Sequence, residues 1–441
     1  MGTKTYYKSI IVIALPLVIS MMINPIVGMI DTKMLGFKDN ALWLAGLAVA
    51  ALTYAQIIWF FSFLFIGTLS LTSVAIGMND KKEVKAIFYR NATIGLILAI
   101  AVTIFHPVIF RIIFTIINPE AQIIDPIKDY LNIRIYFFFI PLFSYMASAW
   151  LLANKKSLYI LVYDFTFGIL TIGFNILFVI ILDYNIKGIA IGTVLAELGS
   201  FVVLLYILCK KTDIFQHFSW RVLKEALAYN DIIRIFKVNG HLFVRTLCLI
   251  SIFMLFNRFS TGFIDTNIIA ANGIILQILL MLTTSLEAFG DASSTLIGRS
   301  LGQKKYPQIY TITKDAFVIN GLLGIMLSFF IYMNITYIGR FFTHIPMVIE
   351  NILAYKIWFL ILPIPMIIAF TFDGIILGLK EIKHLRNASI FAALAFGISY
   401  YILPVNLEVH RLWIAFLLSF IARGLYLYAM FIKVNRGFNG L

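Results

Sequence analysis

From Ile10 to Ile30 the chain carries no charge, and only Ser20 and Asn24 stand out as polar side chains. Similar runs follow along the whole sequence. A bilayer crossing needs about 20 mainly apolar residues. That length predicts twelve spans, over 9–34, 44–75, 91–116, 130–153, 158–182, 188–208, 238–258, 266–296, 311–336, 351–379, 387–405 and 412–432. Several are longer than a crossing requires, so tilted, kinked or protruding helices are expected.

The connections are short, with one exception. Residues 209–237 mix charges with Phe215, Phe218, Trp220 and Leu223, which suits either an amphipathic helix on the membrane surface or a plain linker. The chain is thereby divided into an N-lobe, 1–208, and a C-lobe, 238–441. The lobes echo each other: FIGTLSLTSVAIGMNDKKE (65–83) is similar to GDASSTLIGRSLGQKKYPQ (290–308) at an offset of 225. Six spans separate the copies, so both cross in the same direction. The predicted fold is an all-α integral membrane protein, with twelve transmembrane helices in two six-helix bundles related by a pseudo-two-fold along the membrane normal. Transporters place substrate sites between such repeats.

Basic residues orient the spans. With the N-terminus in the cytoplasm, the inner segments carry 22 Lys and Arg against 7 on the outer side. Both termini are therefore expected in the cytoplasm, with the chain in the cell's inner (plasma) membrane. The composition agrees, being 61% hydrophobic and 13% charged, against roughly 45–50% and 25% in soluble proteins. The net charge of +14 is scattered over short loops, which argues against a nucleic-acid partner. Cys209 and Cys248 support neither a disulfide scaffold nor a zinc site. No phosphate-binding glycine loop, nucleophile–base pair or metal-spaced cluster appears. No enzyme activity, catalytic residue, metal or cofactor is expected, only a coupling ion.

The chemistry must then lie in acids, amides and arginines inside the spans, where a charge costs at least about 2.5–3.5 kcal/mol on insertion scales. Asp31 ends the first apolar run, six residues after Pro25. A proline there removes a backbone bond and is expected to bend the helix, so the pair reads as a moving, proton-sensitive element. The plainer reading makes Asp31 an outer-rim residue neutralised by Lys33. Asn175 and Glu197 join Asp31 as candidate cation-coupling residues, in a cavity with Tyr54, Gln56 and Tyr136; simple bonding between helices is the alternative. In the C-lobe, Glu287 and Asp291 lie four apart on one helix face. Asp373 follows Pro363 and Pro365, and Arg245 is its candidate counter-ion. A structural ion pair competes there with a substrate site that would also take in Gln277. Arg111 and Arg423 are expected to snorkel to an interface.

ALPLVISMMINPIVGMIDTKMLG (14–36), IAANGIILQILLMLTTSLEAFGDASSTLIGRSLG (269–302) and FDGIILGLKEIKHLRN (372–387) resemble the multidrug and toxic compound extrusion exporters, specifically their DinF-like branch, over nearly all twelve spans. The resemblance implies two bundles around a central cavity. It also implies alternating-access efflux of bulky, amphipathic or cationic compounds in exchange for H⁺ or Na⁺, with H⁺ favoured, by a monomer whose partners are small molecules and the bilayer. Pro25 would be the bending proline of helix 1 and Asp31 its coupling aspartate. Glu197, Glu287 and Asp373 match acids of the sixth and eighth spans and of a DG motif. In the fifth span, Thr171 and Asn175 stand where the family often has Asn and Asp, which removes the second acid of an N-lobe proton relay. The rival reading is a flippase for a lipid-linked oligosaccharide, expected to hold several basic residues in the N-lobe. Only Arg111 and Arg134 lie within its spans.

Overall fold

The computed structural model describes residues 5–36, 41–117, 119, 121–216, 227–260, 262 and 265–438. The core of the surface helix expected over 209–237 lies outside the described residues. Elsewhere the chain is almost wholly helical, as lipid demands, because a helix satisfies its own N–H and C=O groups where no water can. The N-terminal half holds α1 (Tyr7–Gly36), α2 (Ala41–Phe60), α3 (Phe63–Gly77), α4 (Lys81–Ile117), α5 (Ala121–Ile135), α6 (Phe139–Ala153), α7 (Ser157–Asn175) and α8 (Ile186–Lys211). The rest forms α9 (Tyr229–Ser260), α10 (Thr266–Gly302), α11 (Tyr306–Phe342), α12 (Pro346–Ala354), α13 (Trp358–Ile361), α14 (Pro363–Gly378), α15 (Ile382–Ile402) and α16 (Glu408–Phe438).

Among the described residues, 10 helical stretches are long and apolar enough to cross a bilayer, and α5 with α6 makes an eleventh span bent by 55°. Pro141, just inside α6, has no N–H to offer Phe137, which explains a break at this point. The predicted span outside that count, 387–405, is α15, 21 residues or about 32 Å long. Its first turns carry Arg386 and Asn387, which bond His241 and Tyr426. Helix α1 runs through Pro16 and Pro25 as one continuous helix. A proline deletes one bond of the ladder, and the remaining bonds carry the helix across both positions. Helix α7 instead changes character after Asn175, passing into a π-helical turn over Ile176–Ile181. Such turns are rare and cluster at functional sites.

The chain divides into two compact units. The N unit comprises Pro16–Thr72 and Asp80–Phe236, and the C unit Met1–Leu15, Ser73–Asn79 and Lys237–Leu441. The start of α1 and the end of α3 therefore group with the C unit. An apolar core built around Phe256, Phe359, Phe396, Trp413 and Phe416 fills that unit. Its buried indole is not left wanting, since Trp413 Nε1 donates to Asn272 Oδ1 at 3.0 Å.

The internal repeat is visible in the backbone. Among the described residues, six that are not glycine have positive φ: Asn79 and Lys304, Lys155 and Lys380, Asp183 and Glu408. Each pair is separated by 225 residues, the offset of the sequence echo. The glycines agree. A side chain on Gly77 would overlap the Arg299 carbonyl, and one on Gly302 would overlap that of Val74. Shifting Gly77 and Val74 by 225 gives Gly302 and Arg299, so the two contacts are one contact made twice.

Candidate functional site

In the N unit, α1 carries Asp31 against the end of α7. Asn175 Nδ2 donates to Asp31 Oδ1 at 2.7 Å. Asn175 is fully buried and, among the described residues, its Oδ1 has no hydrogen-bond partner. Gly192 of α8 leaves no room on that side, because a side chain there would overlap Asn175 Oδ1. The amide is therefore held between a carboxylate and a helix backbone. Lys33 is exposed and makes no ion pair with Asp31 among the described residues. The rim reading of Asp31 loses its counter-ion. Thr171, one turn earlier, is buried and bonds its own helix at the Phe167 carbonyl.

A second group lies deeper. Arg134 of α5 bonds Glu197 of α8 at 2.8 Å, both buried, and its guanidinium sits 4.2 Å from the centroid of the Tyr54 ring. The arginine also pulls electrostatically on Asp31, and Tyr130 feels Asp31, Arg134 and Glu197 together. Glu197 Oε2 remains without a hydrogen-bond partner among the described residues. Asp31, Asn175, Glu197 and Tyr54 are thus brought into one electrostatic neighbourhood, with Arg134 as the link the sequence had not assigned. Gln56 and Tyr136 are exposed instead, Tyr136 edge-on against the His106 ring at 5.6 Å.

One acid of the fifth span went unread. Asp164 of α7 accepts a hydrogen bond from the Ser20 hydroxyl of α1. The signal was available in the sequence, a carboxylate inside an apolar span.

The C unit holds an acid–arginine cluster. Asp373 Oδ2 accepts from Arg245 at 2.9 Å and from Arg423. Arg423 is only 3% exposed, which corrects the expectation that it reaches an interface: a buried carboxylate satisfies it where it stands. Glu287 is acted on by both arginines, and Asp291 by Glu287 and Arg245. Gln277 is exposed on the same helix.

Comparison with known proteins names this arrangement. The family model for MatE matches residues 16–179 and 242–402. DNA damage-inducible protein F of Escherichia coli (strain K12) is 24% identical over 418 residues, 95% of this chain and 90% of that one. Among solved structures, a MOP superfamily transporter from Pyrococcus furiosus Vc1, described as having a binding pocket of reverse polarity, is similar with a TM-score of 0.87 at 16% identity, covering 99% of this chain and 97% of that one. A MATE structure in the bent conformation is similar with a TM-score of 0.84 at 18% identity, over 99% and 97%. One in the straight conformation gives 0.84 at 17% identity, over 99% and 98%. The solved structures speak for the fold, and the family model covers most of the sequence. The chain belongs to the MatE family of multi-pass membrane transporters.

Proposed function

We propose that this transporter exports bulky amphipathic or cationic compounds by alternating access, in exchange for an inward cation, with Asp31 as the coupling carboxylate and H⁺ rather than Na⁺ as the ion. The observation that carries the reading is the bond from Asn175 Nδ2 to Asp31 Oδ1. An amide is an unusual partner for a membrane carboxylate because it serves both protonation states. Its NH₂ donates to the ionised acid. Turned over, its oxygen accepts from the protonated one. Asn175 offers Asp31 a nitrogen, which suits proton exchange better than an oxygen cage for a hard cation.

Protonation from outside removes the charge that holds Asn175 and Arg134 to the outer half of α1. Pro25 lies six residues away, and its missing hydrogen bond makes it the cheapest place for the freed helix to bend. One proton moving inward across 100 mV contributes about 2.3 kcal/mol. The work is done in the inner membrane of the cell, with both termini in the cytoplasm. A flippase for an anionic lipid headgroup is less well supported, because Arg134 is already bound to Glu197 and Arg111 is exposed.

The test uses ethidium-loaded proteoliposomes under separate pH and Na⁺ gradients. A pH gradient drives export by the wild type, and Asp31→Asn, folded, loses it. Normal export by Asp31→Asn would sink the reading.

A further inference from the structure

We infer that Asp164 is a second cation-binding carboxylate of the N unit, on the same α1–α7 seam as Asp31 and on the opposite side of Pro25. The inference rests on the exporter reading and extends it to a residue with no assigned role.

The two carboxylates are related by register. Ser20 and Asp164 are 144 residues apart, and so are Asp31 and Asn175. Ser20 precedes Asp31 by 11 residues, and Asp164 precedes Asn175 by the same number. Eleven residues make about three turns and 16 Å of helix, so on each helix the two positions share one face. Helices α1 and α7 thus run side by side with two polar rungs, one before Pro25 and one after it. Between the rungs the seam is tight and apolar: a side chain on Gly168 would crowd Ile23, with Val27 beyond. The carboxylate sits on α7 in the inner rung and on α1 in the outer one.

The charges separate these two acids from the others of the unit's spans. Glu197 has Arg134. Neither Asp31 nor Asp164 makes an ion pair among the described residues. Asp164 has the Ser20 hydroxyl, and its surroundings offer little else. Among the described residues, the titratable group that feels Asp164 is the Tyr163 phenol on its own helix, which also feels Glu197 of α8, and no base of α1, α6 or α8 acts on Asp164. A carboxylate without a counter-ion in a low-dielectric span must be neutralised, by a proton or a cation. Asp164 is partly exposed, whereas Ser20 is 2% exposed.

Loading the site changes the seam. An ionised Asp164 accepts a charge-assisted bond from Ser20, roughly twice as strong as a neutral one. Neutralised, it holds the first half of α1 more weakly. The loading state of each carboxylate therefore sets how firmly its side of Pro25 is tied to α7, and a proton reaching the outer rung has a second station on the way in.

The experiment counts protons. Purified full-length protein in detergent and weak buffer is titrated with ethidium, and released protons are read with a pH-indicator dye. Asp164→Asn is expected to release one proton fewer per ethidium bound than the wild type, as is Asp31→Asn. The double variant loses two, and Asp164→Glu, which keeps the carboxyl, restores the count. Ser20→Ala should shift the pH range of release without changing the number. Should Asp164→Asn release as many protons as the wild type while Asp31→Asn releases one fewer, the inference falls and the exporter reading stands. Ethidium binding with no proton release from the wild type would overturn both. A Ser20→Ala release curve that superimposes on the wild type removes the seam contact from the mechanism and overturns the inference, even if Asp164→Asn fails to fold.

Discussion

Gly192 lies so close to Asn175 that a side chain of any size would overlap the Asn175 Oδ1. The glycine is there for the approach of α8 to α7, and its backbone forms one wall of the amide's pocket. Gly192→Ala should displace Asn175 from Asp31. Overpacking of this kind costs about 1–3 kcal/mol. The expected outcome is a folded protein with a lowered melting temperature and export reduced at least about tenfold, a barrier change of about 1.4 kcal/mol. Unchanged export from Gly192→Ala would show that the Asn175 position is not critical.

The buried pair of Arg134 and Glu197 makes a sharper stability test. Removing one partner of such a pair costs about 3–5 kcal/mol, because the other charge is stranded. Glu197→Leu should therefore be strongly destabilised, and adding Arg134→Met should recover most of the loss. Melting temperatures in detergent for both single variants and the double variant decide this. Additive losses would mean that the two residues act independently.

Asp373 neutralises two arginines at once, so its removal should be felt more than that of either base. Asp373→Asn leaves Arg245 and Arg423 facing each other without the carboxylate that bonds both. We expect a larger fall in melting temperature than for Arg423→Leu, and partial recovery when the two changes are combined. Equal melting points for Asp373→Asn and the wild type would contradict the clamp.

Lys304 and Lys380 hold left-handed backbone with φ of 58° and 63°. That conformation costs a residue with a Cβ roughly 1–2 kcal/mol relative to glycine. Lys304→Gly and Lys380→Gly should each raise the melting temperature. A drop in both would show that the lysine side chains contribute more than the strain they impose.

Much of the fold was legible because a bilayer turns apolar run length directly into helix number. The run lengths understate the helices, however. The predicted spans 266–296 and 311–336 are helices Thr266–Gly302 and Tyr306–Phe342, since hydropathy measures the part in lipid while the helix continues on polar residues. Bends were harder to place. Pro25 marks a lost hydrogen bond inside a continuous helix, whereas beside Pro141 the helix is broken and bent by 55°. At the site, Asp31 stood out because its surroundings in sequence are apolar. Its tie to Asn175 and the tie of Asp164 to Ser20 span 144 residues, a distance over which local pattern is silent. Arg423 was misplaced for the same reason, since nothing near it in sequence reveals Asp373.

The grouping of the chain into units has a consequence for how the protein is made. The C unit is not the product of the C-terminal half alone, because the start of α1 and Ser73–Asn79 complete it. Gly77 and Val74 from that early segment meet the backbone of Arg299 and Gly302. A C-terminal half made by itself is therefore an unfinished object, with a glycine-lined face waiting for its complement. Supplied as two polypeptides cut between α8 and α9, the halves should co-purify, and the C-terminal half produced by itself should be degraded.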